Sequence, residues 1–144
     1  MKFAKKSLGQ NYLIDKNIIK KIVNLAEIQG KKIIEIGPGK GALTNEILNR
    51  KPKLLSLIEK DSRLVEELKK KYYKNDIIKI YHADVLNIDL KKIITNGSII
   101  FGNLPYNISS QILVKILKIN SWPMNYTDLV LMFQKELADK IVGK

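Results

Sequence analysis

Residues 32–41 read Lys32-Ile33-Ile34-Glu35-Ile36-Gly37-Pro38-Gly39-Lys40-Gly41. A short, β-branched apolar run ends on three alternating glycines. Lys32–Ile36 is expected as a strand covered on both faces, because apolar residues are nearly continuous rather than alternating. Glycines directly after a strand let the chain turn tightly, and they let backbone approach a ligand with no Cβ in the way. The residues after Gly41 are expected to open a helix.

The same pattern repeats outward from this stretch. Short apolar runs predict further strands over residues 54–58, 77–81, 98–101 and 129–133. Between them lie amphipathic segments. Residues 15–26 place Ile18, Ile19, Ile22, Val23 and Leu25 toward one helical face. Residues 61–73 start with Asp61 at an N-cap position and put Leu64, Val65 and Leu68 on one side. Ser109 or Ser110 could cap a helix running to about Lys118, and another helix is expected from Gln134 onward. Strands alternating with helices predict an α/β fold with a parallel sheet and flanking helices. The chain reaches Gly143-Lys144 inside an expected helix with no closing strand, so a fragment of a longer protein is expected.

The bulk numbers bound the function. A chain of 144 residues that is 45% hydrophobic can bury one real core. Nothing in it is apolar for long enough to span a bilayer. The basic start, Met1 to Gln10, has no apolar stretch behind it and is not a secretory signal. Cysteine is absent, which excludes disulfides, thiolate nucleophiles and cysteine zinc sites. A cytoplasmic, monomeric protein without metal is the expectation. The net charge of +12 suits a polyanionic partner. Against that, the cations are nearly all Lys, with only Arg50 and Arg63 of the type favoured for bidentate phosphate contacts. Abundant Lys, Ile and Asn are also what an AT-rich genome produces.

The glycine spacing narrows the ligand. A dinucleotide fingerprint is G-x-G-x-x-G, whereas this loop is G-x-G-x-G with Ala42 at the third fingerprint position. A pyrophosphate needs that turn and the helix N-terminus behind it. S-adenosylmethionine has no phosphate to hold; it needs close backbone passage and an acidic group on the sulfonium side, for which Glu35 is a candidate. Glu59 ends the second expected strand, about 20 residues past the glycines, where a carboxylate can accept from both ribose hydroxyls. Asp84 follows the third strand and can accept from the adenine amine of such a cofactor. Alone it would read as an Asx-turn or a helix cap. In series with Gly37 and Glu59, at the carboxyl ends of consecutive strands, it reads as a ligand residue.

Asn103-Leu104-Pro105-Tyr106 follows the fourth apolar run. An adenine amine is a poor nucleophile because its lone pair is delocalised into the ring. Two acceptors aimed at its N–H bonds localise that pair: the Asn103 side-chain oxygen and the Leu104 backbone carbonyl. Pro105 restricts Leu104 to an extended conformation and has a fixed φ itself, which holds that carbonyl. Tyr106 offers a flat face for an extruded base. No strong base is required before transfer, so the rate comes from positioning and electrostatics. A plain turn with a core Tyr is the competing reading of this segment.

These residues resemble the KsgA-type family of small-subunit ribosomal RNA adenine dimethyltransferases. The matching motifs are Gly9-Gln10-Asn11-Tyr12-Leu13, Glu35 to Gly39, Glu59, Asp84, Phe101 to Ser109, and Gln134-Lys135-Glu136. Leu104 separates the pattern from DNA adenine methylases, which commonly carry Pro there. Tyr12 stands where the family often has Phe. The resemblance implies a Rossmann-like class I methyltransferase sheet, truncated before its last strands. Residues 1–144 would form one S-adenosylmethionine-binding domain, without the helical C-terminal domain of family members. It implies Asn11, Leu13, Gly37, Glu59, Asp84 and Asn103 as cofactor-binding residues. It implies Asn103, Leu104, Pro105 and Tyr106 as catalytic. The implied activity is N6-dimethylation of two adjacent adenines near the 3′ end of small-subunit rRNA, on a pre-30S particle during ribosome assembly. The Erm group, acting on large-subunit rRNA, shares most of these motifs. A non-catalytic ribosome-assembly protein and an NAD-dependent oxidoreductase are the alternatives from other classes.

Several residues receive no functional role. His82, the only histidine, has no partner that would make it catalytic. Phe133 could cover the second face of a target base or simply pack in the core. Trp122-Pro123-Met124 is expected to pack a connecting loop. Lys2, Lys5 and Lys6 could touch phosphates or form a frayed terminus.

Overall fold

The computed structural model describes residues 15–104, 107–119, 125–133 and 139–143. Its described elements run α1 (Lys16–Val23), β1 (Lys32–Ile36), α2 (Ala42–Asn49), β2 (Leu54–Glu59), α3 (Ser62–Tyr72), β3 (Ile78–His82), β4 (Ser98–Asn103), α4 (Ser109–Leu117) and β5 (Tyr126–Met132), with a single 3₁₀ turn at Leu90–Lys92. The five strands form one sheet in the order β3-β2-β1-β4-β5. Each neighbouring pair is parallel. The expected α/β architecture with a parallel sheet is therefore present.

The side-chain period of two splits the strands between two cores. Ile33, Leu55, Leu57, Ile99 and Phe101 face one side, against Ile19 and Val23 of α1, Leu43 and Ile47 of α2, and Leu68 of α3. Ile34, Ile36, Ile58 and Ile100 face the other, against Ile112 and Ile116 of α4 and Val85, Leu90 and Ile94 of the β3–β4 connection. Both faces of β1, β2 and β4 are covered, which is why those strands read as continuous apolar runs.

Several boundaries differ from expectation. Helix α1 stops at Val23, with Asp15 as its N-cap. Its buried stripe is Ile19 and Val23, one turn apart, while Ile18 is 47% and Leu25 is 70% exposed. The five apolar residues therefore do not share one buried face; Leu25 lies past the helix and Ile18 points off the stripe. Neither Ser109 nor Ser110 caps α4. Its N-cap is Ile108, without a side-chain bond, and Ser109 is the buried first residue. Strand β5 starts at Tyr126, ahead of the apolar run. Its start is set by pairing with Ser98, with a register irregularity at Ser98/Ile99, not by apolar pattern. Asp61 does cap α3, accepting from Arg63 N–H at 2.9 Å and Leu64 N–H at 3.4 Å.

Candidate active site

The sheet order places the chain reversal between β1 and β4, since the strands after β1 run to one side and β4 and β5 to the other. Open parallel sheets bind ligands at this crevice, beyond the carboxyl ends of the strands. Ile36 pairs with Gly102, so the residues that follow each, Gly37 and Asn103, leave the sheet side by side.

Gly37 turns with φ +68°, and a Cβ there would sit 3.2 Å from the Asn103 carbonyl oxygen. Any side chain would be strained twice, by the left-handed backbone and by the neighbouring strand. Gly41, the N-cap of α2, has φ +89° and backs onto Tyr72, whose hydroxyl would lie 2.7 Å from an added Cβ. Lys71 Nζ donates to the Lys40 carbonyl at 3.2 Å, so the end of α3 supports the far limb of the glycine loop.

Glu59, at the end of β2, is 7% exposed. Its Oε2 accepts from Gly39 N–H and its Oε1 from Asp61 N–H, each at 3.1 Å. Burial pushes the Glu59 carboxyl above its ordinary value, opposed by the backbone N–H groups of Asp61, Gly39 and Lys60. The carboxylate thus ties the glycine loop to β2. With three backbone donors on a carboxylate that offers about four lone-pair sites, about one acceptor direction is left.

Asp84 follows β3 and continues the row. The Glu59 carbonyl accepts from Ala83 N–H at 3.0 Å. Asp84 Oδ1 accepts from Leu86 N–H at 3.0 Å, an Asx-turn. Its Oδ2 lies 3.4 Å from Lys60 Nζ. The local turn and a ligand role are compatible, since the turn uses one oxygen and leaves the side chain part-exposed. His82 is exposed, with its ring Nε2 3.2 Å from the Lys60 carbonyl.

Asn103 ends β4. Leu104 is 4% exposed and packs into the second core. Its buried side chain anchors the backbone whose carbonyl the chemistry would use. Gly102 makes room for it: an added Cβ would lie 2.9 Å from Leu104 Cδ2 and 3.1 Å from Leu131 Cδ2. That steric role had no sequence signal beyond the glycine itself. Phe133 packs against the same core.

Glu35, the sequence candidate for the sulfonium side, turns into the core. It is 1% exposed on the α2 side of the sheet, and its Oε1 accepts from Thr44 Oγ1 at 2.6 Å. Burial pushes its carboxyl up to about 8, with the Thr44 bond opposing and the Glu59 charge adding to the rise. The reason is strand parity: Glu35 alternates with Ile34 and Ile36 and shares the inner face of Ile33. Burial, with the Glu35 charge adding, also raises the Tyr72 phenol.

Gly37, Glu59, Asp84 and Asn103 thus form a row along the carboxyl edge of β4, β1, β2 and β3. Asn11, Leu13, Pro105, Tyr106, Trp122-Pro123-Met124, Gln134-Lys135-Glu136 and the N-terminal lysines Lys2, Lys5 and Lys6 lie outside the described residues. Among the described residues no cluster of three or more His, Asp or Glu could hold a metal, and no helix is long and apolar enough to cross a membrane.

Comparison with known proteins shows the family. The sequence matches the family model described as ribosomal RNA adenine dimethylase over residues 1–144. A Pelagibacter ubique protein named Ribosomal RNA small subunit methyltransferase A is 49% identical, over 98% of this chain and 53% of its own length. The Malacoplasma penetrans protein of the same name is 47% identical, over 99% of this chain and 50% of its own length. The chain therefore spans about half the length of these curated relatives. The crystal structure of the 23S rRNA methyltransferase ErmE superposes with a TM-score of 0.79 at 28% identity, covering 92% of this chain and 52% of that one. A dimethyladenosine transferase from Plasmodium falciparum superposes at 0.77 with 31% identity, covering 93% and 47%. With the glycine loop, Glu59, Asp84 and Asn103-Leu104 along one edge of the sheet and the family model matched from end to end, the chain belongs to the ribosomal RNA adenine dimethylase family.

Proposed function

We propose that residues 1–144 form one S-adenosylmethionine-binding domain that dimethylates the N6 amines of two adjacent adenines near the 3′ end of small-subunit rRNA, within a pre-30S particle in the cytoplasm. The observation that carries this reading is the close approach of Gly37 to the Asn103 carbonyl, whose oxygen would lie 3.2 Å from a Cβ added at Gly37. It sets the glycine loop, where a cofactor passes, directly beside the segment that would hold an acceptor amine.

The residues fit the cofactor. Gly37, Gly39 and Gly41 take left-handed φ, and Asn103 and Tyr72 stand where a Cβ of Gly37 or Gly41 would be, so the loop presents bare backbone. Gly39 N–H is engaged by the Glu59 carboxylate rather than offered to a phosphate, which favours a phosphate-free nucleoside over a dinucleotide. Glu59 would accept from the ribose hydroxyls and Asp84 from the adenine amine. S-adenosylmethionine, when bound, supplies an electrophilic methyl on a sulfonium. Asn103 would accept one N–H of the target amine through its side chain. Leu104 would accept the other through its carbonyl, held by its buried side chain. Together they localise the nitrogen lone pair and aim it. Pro105 would hold the segment extended and Tyr106 would stack the base; Asn11 and Leu13 would close over the cofactor. All of this is positioning and electrostatic work.

The small-subunit target rests on the names of the relatives above. The test is transfer of labelled methyl groups to small-subunit particles lacking dimethyladenosine, with large-subunit particles in parallel. Small-subunit labelling lost in Asn103→Ala and in Tyr106→Ala is expected. Full activity in both variants overturns the mechanism. Labelling confined to large-subunit particles transfers the assignment to Erm-like chemistry. No transfer, with particle binding intact, leaves a ribosome-assembly protein without catalysis.

A further inference from the structure

The connection after β3 is held from an unexpected direction. Asp84 to Ile88 folds as a single helix-like turn: the Asp84 carbonyl accepts from Asn87 N–H at 2.9 Å and Ile88 N–H at 3.0 Å. Carbonyls one turn apart on such a segment point the same way and form an electronegative end. Here those carbonyls are Val85 and Ile88, and one side chain takes both. Lys115 Nζ donates to Val85 O at 2.6 Å and to Ile88 O at 2.5 Å. Two of the three ammonium donors are thereby committed.

Lys115 is on α4, the helix that begins at Ser109, shortly after Asn103 and Leu104. Ile112 and Ile116, its helical neighbours, are fully buried against the sheet, so its stem is anchored. From Ser109 to Lys115 the helix advances about 9 Å, enough to carry its ammonium to the adjoining turn. Burial pulls the Lys115 ammonium below its ordinary value, partly offset by the Asp84 and Asp89 carboxylates.

From this geometry we infer that Lys115 is a positioning residue, clamping the Asp84 turn to α4 so that the Asp84 carboxylate is held in register with the Asn103-Leu104 segment. The inference rests on Asp84 accepting from the cofactor's adenine amine. Its consequence is selectivity for adenine at the cofactor site. Without the clamp, Val85 O and Ile88 O turn to water, and the turn that aims Asp84 can shift relative to the helix. General loosening would weaken all nucleosides alike, whereas loss of aim removes the advantage of adenine specifically.

The experiment is calorimetry on the full-length polypeptide with two probes, S-adenosylhomocysteine and its inosine counterpart, which has a carbonyl in place of the amine. Wild-type protein is expected to prefer the adenine form. Lys115→Met is expected to reduce that preference about tenfold, the scale of one charge-assisted hydrogen bond, with affinity for the inosine form unchanged. Lys115→Arg, which keeps donors to both carbonyls, is expected to restore most of the preference. Lys115→Gln, with one amide donor group, is read in the same way if Met is not tolerated in folding. Asp84→Ala, which removes the acceptor, separates the two levels of the argument. If Asp84→Ala keeps the wild-type preference, Asp84 does not read adenine and the inference fails with that reading. If Asp84→Ala loses the preference while the Lys115 variants keep it, or lose affinity for both probes equally, the clamp alone is overturned.

Discussion

Glu35 provides the sharpest physical test of this structure. Its carboxyl is buried beneath the glycine loop and pushed up to about 8 from an ordinary 4.5. An unfolded chain ionises this group near its ordinary value, whereas the folded chain keeps it protonated until about pH 8. Between those values the folded state binds one more proton than the unfolded state. The neutral carboxyl therefore supports the fold fully at low pH, and its support is lost as pH rises. The slope is at most about 1.4 kcal/mol per pH unit for one proton. Glu35→Gln keeps the shape, keeps an acceptor for the Thr44 hydroxyl, and cannot ionise. Because Glu59 is shifted in the same direction and remains in both proteins, only the difference between them reports on Glu35. Urea unfolding at about pH 5 and about pH 7.5 is expected to show the variant gaining on the order of 3 kcal/mol relative to wild type between the two. Parallel stability–pH curves for the two proteins would refute the reasoning, since Glu35 would then ionise alike in both states.

Two glycine substitutions test the crevice. Gly37→Ala forces a left-handed alanine against the Asn103 carbonyl at 3.2 Å; a stability loss of about 1–2 kcal/mol is expected from the backbone term, and calorimetry is expected to show weakened S-adenosylhomocysteine binding. Gly102→Ala places a methyl 2.9 Å from Leu104 Cδ2; overpacking is expected to cost about 1–3 kcal/mol by urea unfolding, with methyl transfer falling further than cofactor affinity because Leu104 is displaced.

Much of this was legible because strand ends are local signals. The run Lys32 to Ile36 and the glycines after it announce a strand and a turn without reference to anything distant. The same is true of Glu59 at the end of β2 and of Asp61, whose cap depends on N–H groups two and three residues away. The errors arose where a local pattern was asked a tertiary question. Ile18 and Leu25 are apolar, but only packing decides which apolar residues a short helix buries. Glu35 adjoins the loop along the chain, but strand parity turns it into the core, to Thr44. The onset of β5 at Tyr126 comes from pairing with Ser98, which the composition of residues 126–128 does not reveal.

By itself the sequence determined the kinds of elements, the glycine loop, the carboxylates at strand ends and the family resemblance, because each depends on residues near one another along the chain. Only the tertiary structure decided that β1 lies between β2 and β4, and hence that Gly37 rests on the Asn103 carbonyl. Strand order, the side to which Glu35 turns, the space Gly102 leaves for Leu104, and the reach of Lys115 to Val85 and Ile88 are contacts between segments far apart in sequence. Periodicity states which residues seek burial; which neighbour buries them is settled only when the sheet closes over both cores.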